Sequence, residues 1–89
     1  MIHKKLQVIN KLGLHARAAA KLVQTAAKFE SHIEISRNGR TANAKSIMGV
    51  MMLAASVHSW VEVTVQGNDE ENAMSAIEAL ISHRFGEEK

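Results

Sequence analysis

Alternation of apolar and polar residues is the sequence feature that most constrains the fold of this chain. Between residues 61 and 66, valine occupies every second position and Glu, Thr and Gln lie between them. Shorter alternating segments occur within Ile2–Ile9 and from Ile33 to Ser36. A period of two is typical of strands with one buried and one open face. Helices must then cover a single face of a mostly antiparallel sheet.

Helices and turns are predicted between these strands. Apolar residues at helical spacing predict a first helix over residues 16–28, after a loop that ends at Gly13. Asn38-Gly39 predicts a tight hairpin turn, with a short strand over residues 40–43. Ser46 is expected to cap a short helix that begins at Ile47. The apolar stripe of the last helix consists of Ala73, Met74, Ile77, Leu80 and Ile81.

The ends of the last helix are predicted from its flanking residues. Gly67 ends the strand before it, and Asn68 with Glu71 resembles a capping box. Gly86 suits the helix end. The predicted order is βαββαβα: a single α+β domain over residues 1–89, an open-faced β-sandwich with a four-stranded mostly antiparallel sheet and three helices on one face.

Composition excludes several function classes. The 89 residues include no cysteine, and 11 Lys and Arg against 9 Asp and Glu give a net charge of +2, too small to predict nucleic-acid binding. The histidines show no metal-ligand spacing, and no apolar run reaches the roughly 20 residues of a membrane span. Without a signal-peptide core, the expected location is cytoplasmic. Residues 4–45 carry mostly basic charges, which suit either an acidic partner or simple solvation.

The segment from Gly13 to Arg17 carries the chemistry. It places His15 and Arg17 two residues apart, where a strand is expected to lead into a helix. A helix N-terminus offers unpaired N–H groups and positive dipole charge, and it attracts phosphate. A neutral imidazole has one nitrogen available for attack on phosphorus, and a guanidinium can bind two phosphoryl oxygens. The alternative is that His15 only caps the helix and Arg17 is a surface charge.

Two motifs resemble a known family. Gly13-Leu14-His15-Ala16-Arg17 and the segment 45–53 (KSIMGVMML) resemble, in order and spacing, the histidine-containing phosphocarrier family of the bacterial phosphoenolpyruvate-dependent phosphotransferase system. The likeness covers essentially the whole chain. One departure is Ala18, where many members carry proline soon after the arginine.

The resemblance implies a role for each matching residue. His15 would accept a phosphoryl group on Nδ1 from phosphorylated Enzyme I and pass it to a histidine of an Enzyme IIA domain, while Arg17 stabilises the group. Ser46 would be the site of a dedicated kinase in some hosts, although capping alone also explains a serine there. The partner-docking residues would be Ile47, Met48, Met51, Lys21 and Lys45, with Met52 buried. The expected protein is a monomer without cofactor or metal.

Alternative functions use the same element order. A phosphate-holding hydrolase of the acylphosphatase type would need a residue to position water, which the sequence does not identify. An RNA-binding domain would stack bases on sheet aromatics, but Phe29, Trp60 and Phe85 lie outside the predicted strand interiors. A nitrogen-branch paralogue of the carrier would use the same His15 chemistry in regulation. The prediction is therefore a carrier that forms a phosphohistidine, not an enzyme.

Overall fold

A computed structural model describes all 89 residues as one sheet covered by helices on one face. The four strands form an antiparallel sheet in the order β1-β4-β2-β3. None of the helices is both long and apolar enough to cross a membrane. The predicted βαββαβα order and open-faced α+β class are confirmed. The elements are β1 (Ile2–Gln7), α1 (Ala16–Ala26), β2 (His32–Arg37), β3 (Arg40–Asn43), α2 (Ile47–Met52), β4 (Trp60–Gln66), α3 (Glu70–Ser82) and a short 3₁₀ segment, Arg84–Gly86.

Strand β4 lies in the middle of the sheet and sets its register. Val65 pairs with Ile2 of β1 and with Ile33 of β2. Because side chains alternate along each strand, the paired apolar residues all lie on the face beneath the helices. Twenty buried hydrophobic residues join this face to the helices in one continuous core.

The two long helices cover the sheet with small side chains. Ala19 and Ala26 of α1, and Ala73 of α3, are fully buried. Alanine allows close approach and favours helix. Helix α1 ends at Ala26, two residues before the predicted Lys28, because residues 27–28 continue as a turn.

The start of α3 differs from the predicted capping box of Asn68 and Glu71. Asp69 is the N-cap residue, and its side chain makes no capping bond. Its carboxylate instead accepts hydrogen bonds from the Glu30 and Ser31 amides, at 2.9 and 3.0 Å, and from the Ser31 hydroxyl. These bonds, the Ser31 hydroxyl foremost, lower the pKa of Asp69. The carboxylate therefore ties the turn before β2 to α3.

The chain reverses sharply after α3. Arg84, Phe85 and Gly86 have φ values of 56°, 55° and 79°, a left-handed path. Phe85 is fully buried in the core. Burial of a large aromatic side chain stabilises this strained turn. The turn directs residues 87–89 back towards the start of α1.

Candidate functional site

His15 occupies the N-cap position of α1. Its backbone is extended, with φ −74° and ψ 179°, and its ring makes no capping bond. The His15 carbonyl accepts the first helical hydrogen bond, from Ala19 N at 2.8 Å. The N–H groups of residues 16–18 precede that bond and have no intrahelical acceptor. The helix start therefore combines an imidazole with the backbone donors that bind anions.

A rigid loop positions His15. Gly13 has φ +65°, and a Cβ there would overlap the carbonyl oxygen of Ala55. The next residue, Leu14, is buried and donates its N–H to that same carbonyl at 2.9 Å. Asn10 accepts the Gly13 N–H at 3.1 Å and donates its side-chain amide to the Gly13 carbonyl at 2.8 Å. Glycine is required here by both the backbone angle and the close approach.

A carboxylate from the chain's last residues contacts the His15 ring. Glu87 Oε2 lies 2.6 Å from His15 Nε2, and Glu87 Oε1 accepts the Asn10 side-chain amide at 3.0 Å. The His15 and Glu87 side chains are 28% and 12% exposed. Partial burial acts to raise the pKa of Glu87, but the hydrogen bonds from Asn10 and His15, with the charges of His15 and Arg17, lower it overall. The ionised carboxylate therefore engages Nε2.

Two hydrogen bonds to backbone carbonyls hold this terminal segment in place. Lys21 Nζ donates to the Phe85 carbonyl at 2.6 Å, and Lys11 N donates to the Lys89 carbonyl at 2.9 Å. Lys21 is half-buried. Its ammonium therefore has a structural partner at the site, and the docking role expected for Lys21 stays a prediction.

Arg17 lies beside His15 on the first turn of α1. Its side chain is exposed and lines the same open depression as His15, Lys21 and Glu87. Its positive charge contributes to the lowered pKa of Glu87. Arg17 therefore shares this depression with His15, and its role towards a phosphoryl group stays a prediction.

Ser46 caps α2 as predicted. Its hydroxyl accepts the Gly49 N–H at 3.1 Å, and the residue is exposed. The capping role explains its side chain structurally, and its modification stays a prediction. The neighbouring Lys45 donates its ammonium to the Phe29 carbonyl at 2.8 Å and is half-buried. Its expected contact with partners is likewise a prediction.

The prediction that Met52 is buried is wrong, since Met52 is 64% exposed. Val50 is the buried residue of α2 and is followed by buried Leu53. At about 100° per residue, Met52 lies on the opposite side of this short helix from Val50. Met48 and Met51 are exposed as expected. The four exposed residues of the helix, called the α2 patch below, are Ile47, Met48, Met51 and Met52.

Sequence reasoning missed three residues near His15. Asn10 and Glu87 were not singled out, because their mutual contact spans 77 residues of chain and the contact of Glu87 with His15 spans 72. Leu12 is 66% exposed and lines the depression beside His15. An apolar residue in an otherwise polar loop was a visible signal for Leu12. No signal in the sequence pointed to Glu87, whose position depends on the left-handed turn before it.

The remaining histidines lie apart from this site. His3 Nδ1 is hydrogen-bonded to Thr64 and His32 Nε2 to Glu34, both on the exposed surface. No group of three or more His, Cys, Asp or Glu residues is arranged to hold a metal ion. His15 is thus the histidine that combines a helix N-terminus, a carboxylate partner and a neighbouring arginine.

Comparisons with known proteins give the family of this chain. The sequence model of the family described as "PTS HPr component phosphorylation site" matches residues 2–83. The phosphocarrier protein HPr of Cupriavidus necator is 58% identical over 87 residues, 98% of each chain. The crystal structure of HPr-C-His from Thermoanaerobacter tengcongensis covers 100% of both chains, with a TM-score of 0.96 and 46% identity.

A second structure from that organism bears on assembly. The HPr dimer from Thermoanaerobacter tengcongensis is 46% identical, covers 98% of this chain and 100% of its own, and has a TM-score of 0.79. The expected monomeric state of this protein therefore stays a prediction. The family match over nearly the whole chain and the close fold agreement are decisive: the chain belongs to the HPr phosphocarrier family of the phosphotransferase system.

Proposed function

We propose that this protein accepts a phosphoryl group on His15 Nδ1 from phosphorylated Enzyme I and passes it to a histidine of Enzyme IIA domains. The contact of Nε2 with Glu87 at 2.6 Å is the observation that carries the choice of nitrogen. A neutral imidazole has one protonated and one unprotonated nitrogen. Because Nε2 donates its proton to the carboxylate, the lone pair lies on Nδ1. Nδ1 is then the nucleophile.

Arg17 and the first turn of α1 stabilise the transferred group. The phosphoryl oxygens carry negative charge, which suits the donors at the helix start and the guanidinium beside them. A planar guanidinium can bind two oxygens at once. Because the carrier passes its phosphoryl group to the next histidine, this stabilisation is needed only until that transfer.

The α2 patch docks the partners. It presents three exposed methionines and Ile47 on a helix that packs against α1, the helix that begins at His15. Methionine side chains adapt to several surfaces, as a carrier with more than one partner requires. Lys45, directly before Ser46, and Lys21, in the depression beside His15, add positive charge for these partners. Met48→Asp should weaken Enzyme I binding by about tenfold or more, as expected for loss of an apolar anchor, whereas Thr41→Asp should leave it unchanged.

Ser46 is a regulatory site in hosts that contain an HPr kinase. Its hydroxyl is exposed at the start of α2, directly before Ile47 of the patch. A phosphate there would add negative charge beside the docking surface and oppose acidic partners. Ser46→Asp would test this effect by weakening Enzyme I binding while leaving the fold intact.

Intact-mass measurement after incubation with phosphoenolpyruvate, Mg²⁺ and Enzyme I tests the main proposal. One acid-labile phosphoryl group should appear, and His15→Ala should carry none. His83→Ala is the matched control, because His83 is exposed and follows α3, and it should label normally. Labelling of His15→Ala at the normal level would refute the assignment.

The proposed branch is the general carrier of sugar uptake and its regulation. The relatives described above carry the HPr name, which favours this branch over the nitrogen-regulatory one. Transfer assays with IIA domains of each branch would decide between them. Faster transfer to a sugar-branch IIA domain supports the proposal, and faster transfer to a nitrogen-branch domain contradicts it.

A further inference from the structure

Asn10 and Glu87 form a partly buried arrangement beside the His15 ring that phosphoryl acceptance alone does not require. Asn10 is fully buried, and its side-chain amide donates to both the Gly13 carbonyl and Glu87 Oε1. Both neighbours are acceptors, so the amide nitrogen must face them. Asn10 Oδ1 is left without a partner. A buried orphan oxygen is costly, which marks Asn10 as a side chain committed to its two donor bonds.

The arrangement fixes the carboxylate at both ends. One oxygen of Glu87 accepts from Asn10 and the other contacts His15 Nε2 at 2.6 Å. The buried Phe85 and the Lys21 ammonium anchor the preceding turn. The carboxylate therefore has little freedom to leave the ring, although it comes from the far end of the chain.

We propose, on the basis of the acceptor function described above, that Glu87 is a positioning residue that holds the Nε2 proton of His15 throughout the transfer cycle, with Asn10 orienting it. A carboxylate hydrogen-bonded to one imidazole nitrogen fixes the tautomer and orientation of the ring. The lone pair of Nδ1 is then aimed at the incoming phosphorus in every unloaded molecule.

Bonds and protons balance both in acceptance and in delivery of the phosphoryl group. In acceptance, the Nδ1 lone pair forms the bond to phosphorus, and the bond from phosphorus to the donor nitrogen breaks with its electron pair left on that nitrogen. The Nε2 proton stays in place, so the loaded ring carries a positive charge beside the Glu87 carboxylate. In delivery, the bond between Nδ1 and phosphorus breaks, its electron pair returns to Nδ1, and the ring is neutral again. A cationic ring is the better leaving group.

Nitrogen-15 NMR of the unphosphorylated protein tests the proton directly. In mildly alkaline buffer, the wild type should show a protonated Nε2 whose hydrogen exchanges slowly enough to be observed. Glu87→Ala should lose that hydrogen signal, while Glu87→Gln, which keeps an acceptor oxygen, should retain it. Glu88→Gln is the charge-matched control and should resemble the wild type. An unchanged Nε2 signal in Glu87→Ala would overturn the proposal.

Rates of phosphoryl acceptance provide the second measurement. Glu87→Ala should accept more slowly by about tenfold, the size expected when a residue that orients a histidine is lost, with Glu87→Gln between it and the wild type. Equal rates in all variants would refute the positioning role of Glu87, although His15 would still be shown to accept the phosphoryl group. Failure of the wild type itself to label would instead refute the proposed function, and the NMR result does not depend on labelling. Thermal unfolding of each variant verifies that it is folded.

Discussion

The starts of α1 and α2 use the same N-cap position in opposite ways. Ser46 directs its hydroxyl to the Gly49 amide at 3.1 Å, so its side chain completes the helix. His15 makes no capping bond, and its ring turns to Glu87 instead. The first helix thus leaves its N-terminal donors available to an anion. The difference teaches that the N-cap position alone does not indicate chemistry, because the contacts of the N-cap side chain decide whether the helix donors stay available.

The largest expected effect concerns the charge beside the first helix start. Arg17→Ala should slow phosphoryl acceptance by about 100-fold, comparable with removal of a group that stabilises transition-state charge. Lys28→Ala also removes one positive charge, from the exposed turn that follows α1, and should have little effect. Single-turnover labelling by phosphorylated Enzyme I measures both. Equal rates for the two variants would show that the position of Arg17 beside His15 does not matter.

The glycines near the two helix starts are expected to respond differently. Gly13→Ala should lower the free energy of unfolding by at least about 2 kcal/mol, because alanine is strained at positive φ and its Cβ would overlap the Ala55 carbonyl. Gly49→Ala has ordinary helical backbone and a nearest contact of 3.2 Å, to Ser46 Oγ. Its gain in helix propensity offsets the crowding. Urea unfolding measures the pair, and equal losses would contradict the comparison.

The two N-cap residues should also differ in their effect on stability. Ser46→Ala loses a capping hydrogen bond and should cost about 1 kcal/mol of unfolding free energy. His15→Ala loses no capping bond and should cost less. Thermal unfolding of both variants, in the same buffer and without phosphoryl donor, gives the difference. A larger loss for His15→Ala would mean that its contact with Glu87 is mainly structural.

The smallest effect sharpens the comparison at the third helix start. The pKa of Asp69 is lowered in the folded protein, chiefly by the Ser31 hydroxyl. The ionised form therefore contributes stability above the unfolded pKa of about 4, and that contribution is lost as the pH falls through the lower folded pKa. Asp69→Asn should flatten the dependence of unfolding free energy on pH below that value. An unchanged profile would contradict the pairing of Asp69 with the turn before β2.

Local pattern predicted most of the fold. The valine alternation of β4 identified its buried face, and the Asn-Gly dipeptide placed the β2–β3 hairpin between Arg37 and Arg40. These features depend on neighbours within a few residues, so they are visible in the sequence. The predicted capping box of Asn68 and Glu71 was wrong. Asp69 is the N-cap residue instead, and its carboxylate accepts a hydrogen bond from Ser31, 38 residues away. The predicted burial of Met52 was wrong because a helix of six residues has a small buried face.

Only part of the candidate site could be predicted, because the sequence shows local patterns and not distant contacts. His15, Arg17 and Ser46 lie in short motifs at helix starts, where residue type and spacing carry the chemistry. Glu87 depends on a left-handed turn at Arg84–Gly86 and on burial of Phe85. Nothing in the periodicity of α3 predicts that turn. A contact across 72 residues needs the folded structure.

That separation has a consequence for the order in which the site is assembled during synthesis. The imidazole leaves the ribosome well before its carboxylate, since the two lie 72 positions apart. At about 5–20 residues per second, several seconds pass between them. A nascent chain thus exposes His15 without its partner, and the ring acquires a defined proton only when translation has delivered Glu87.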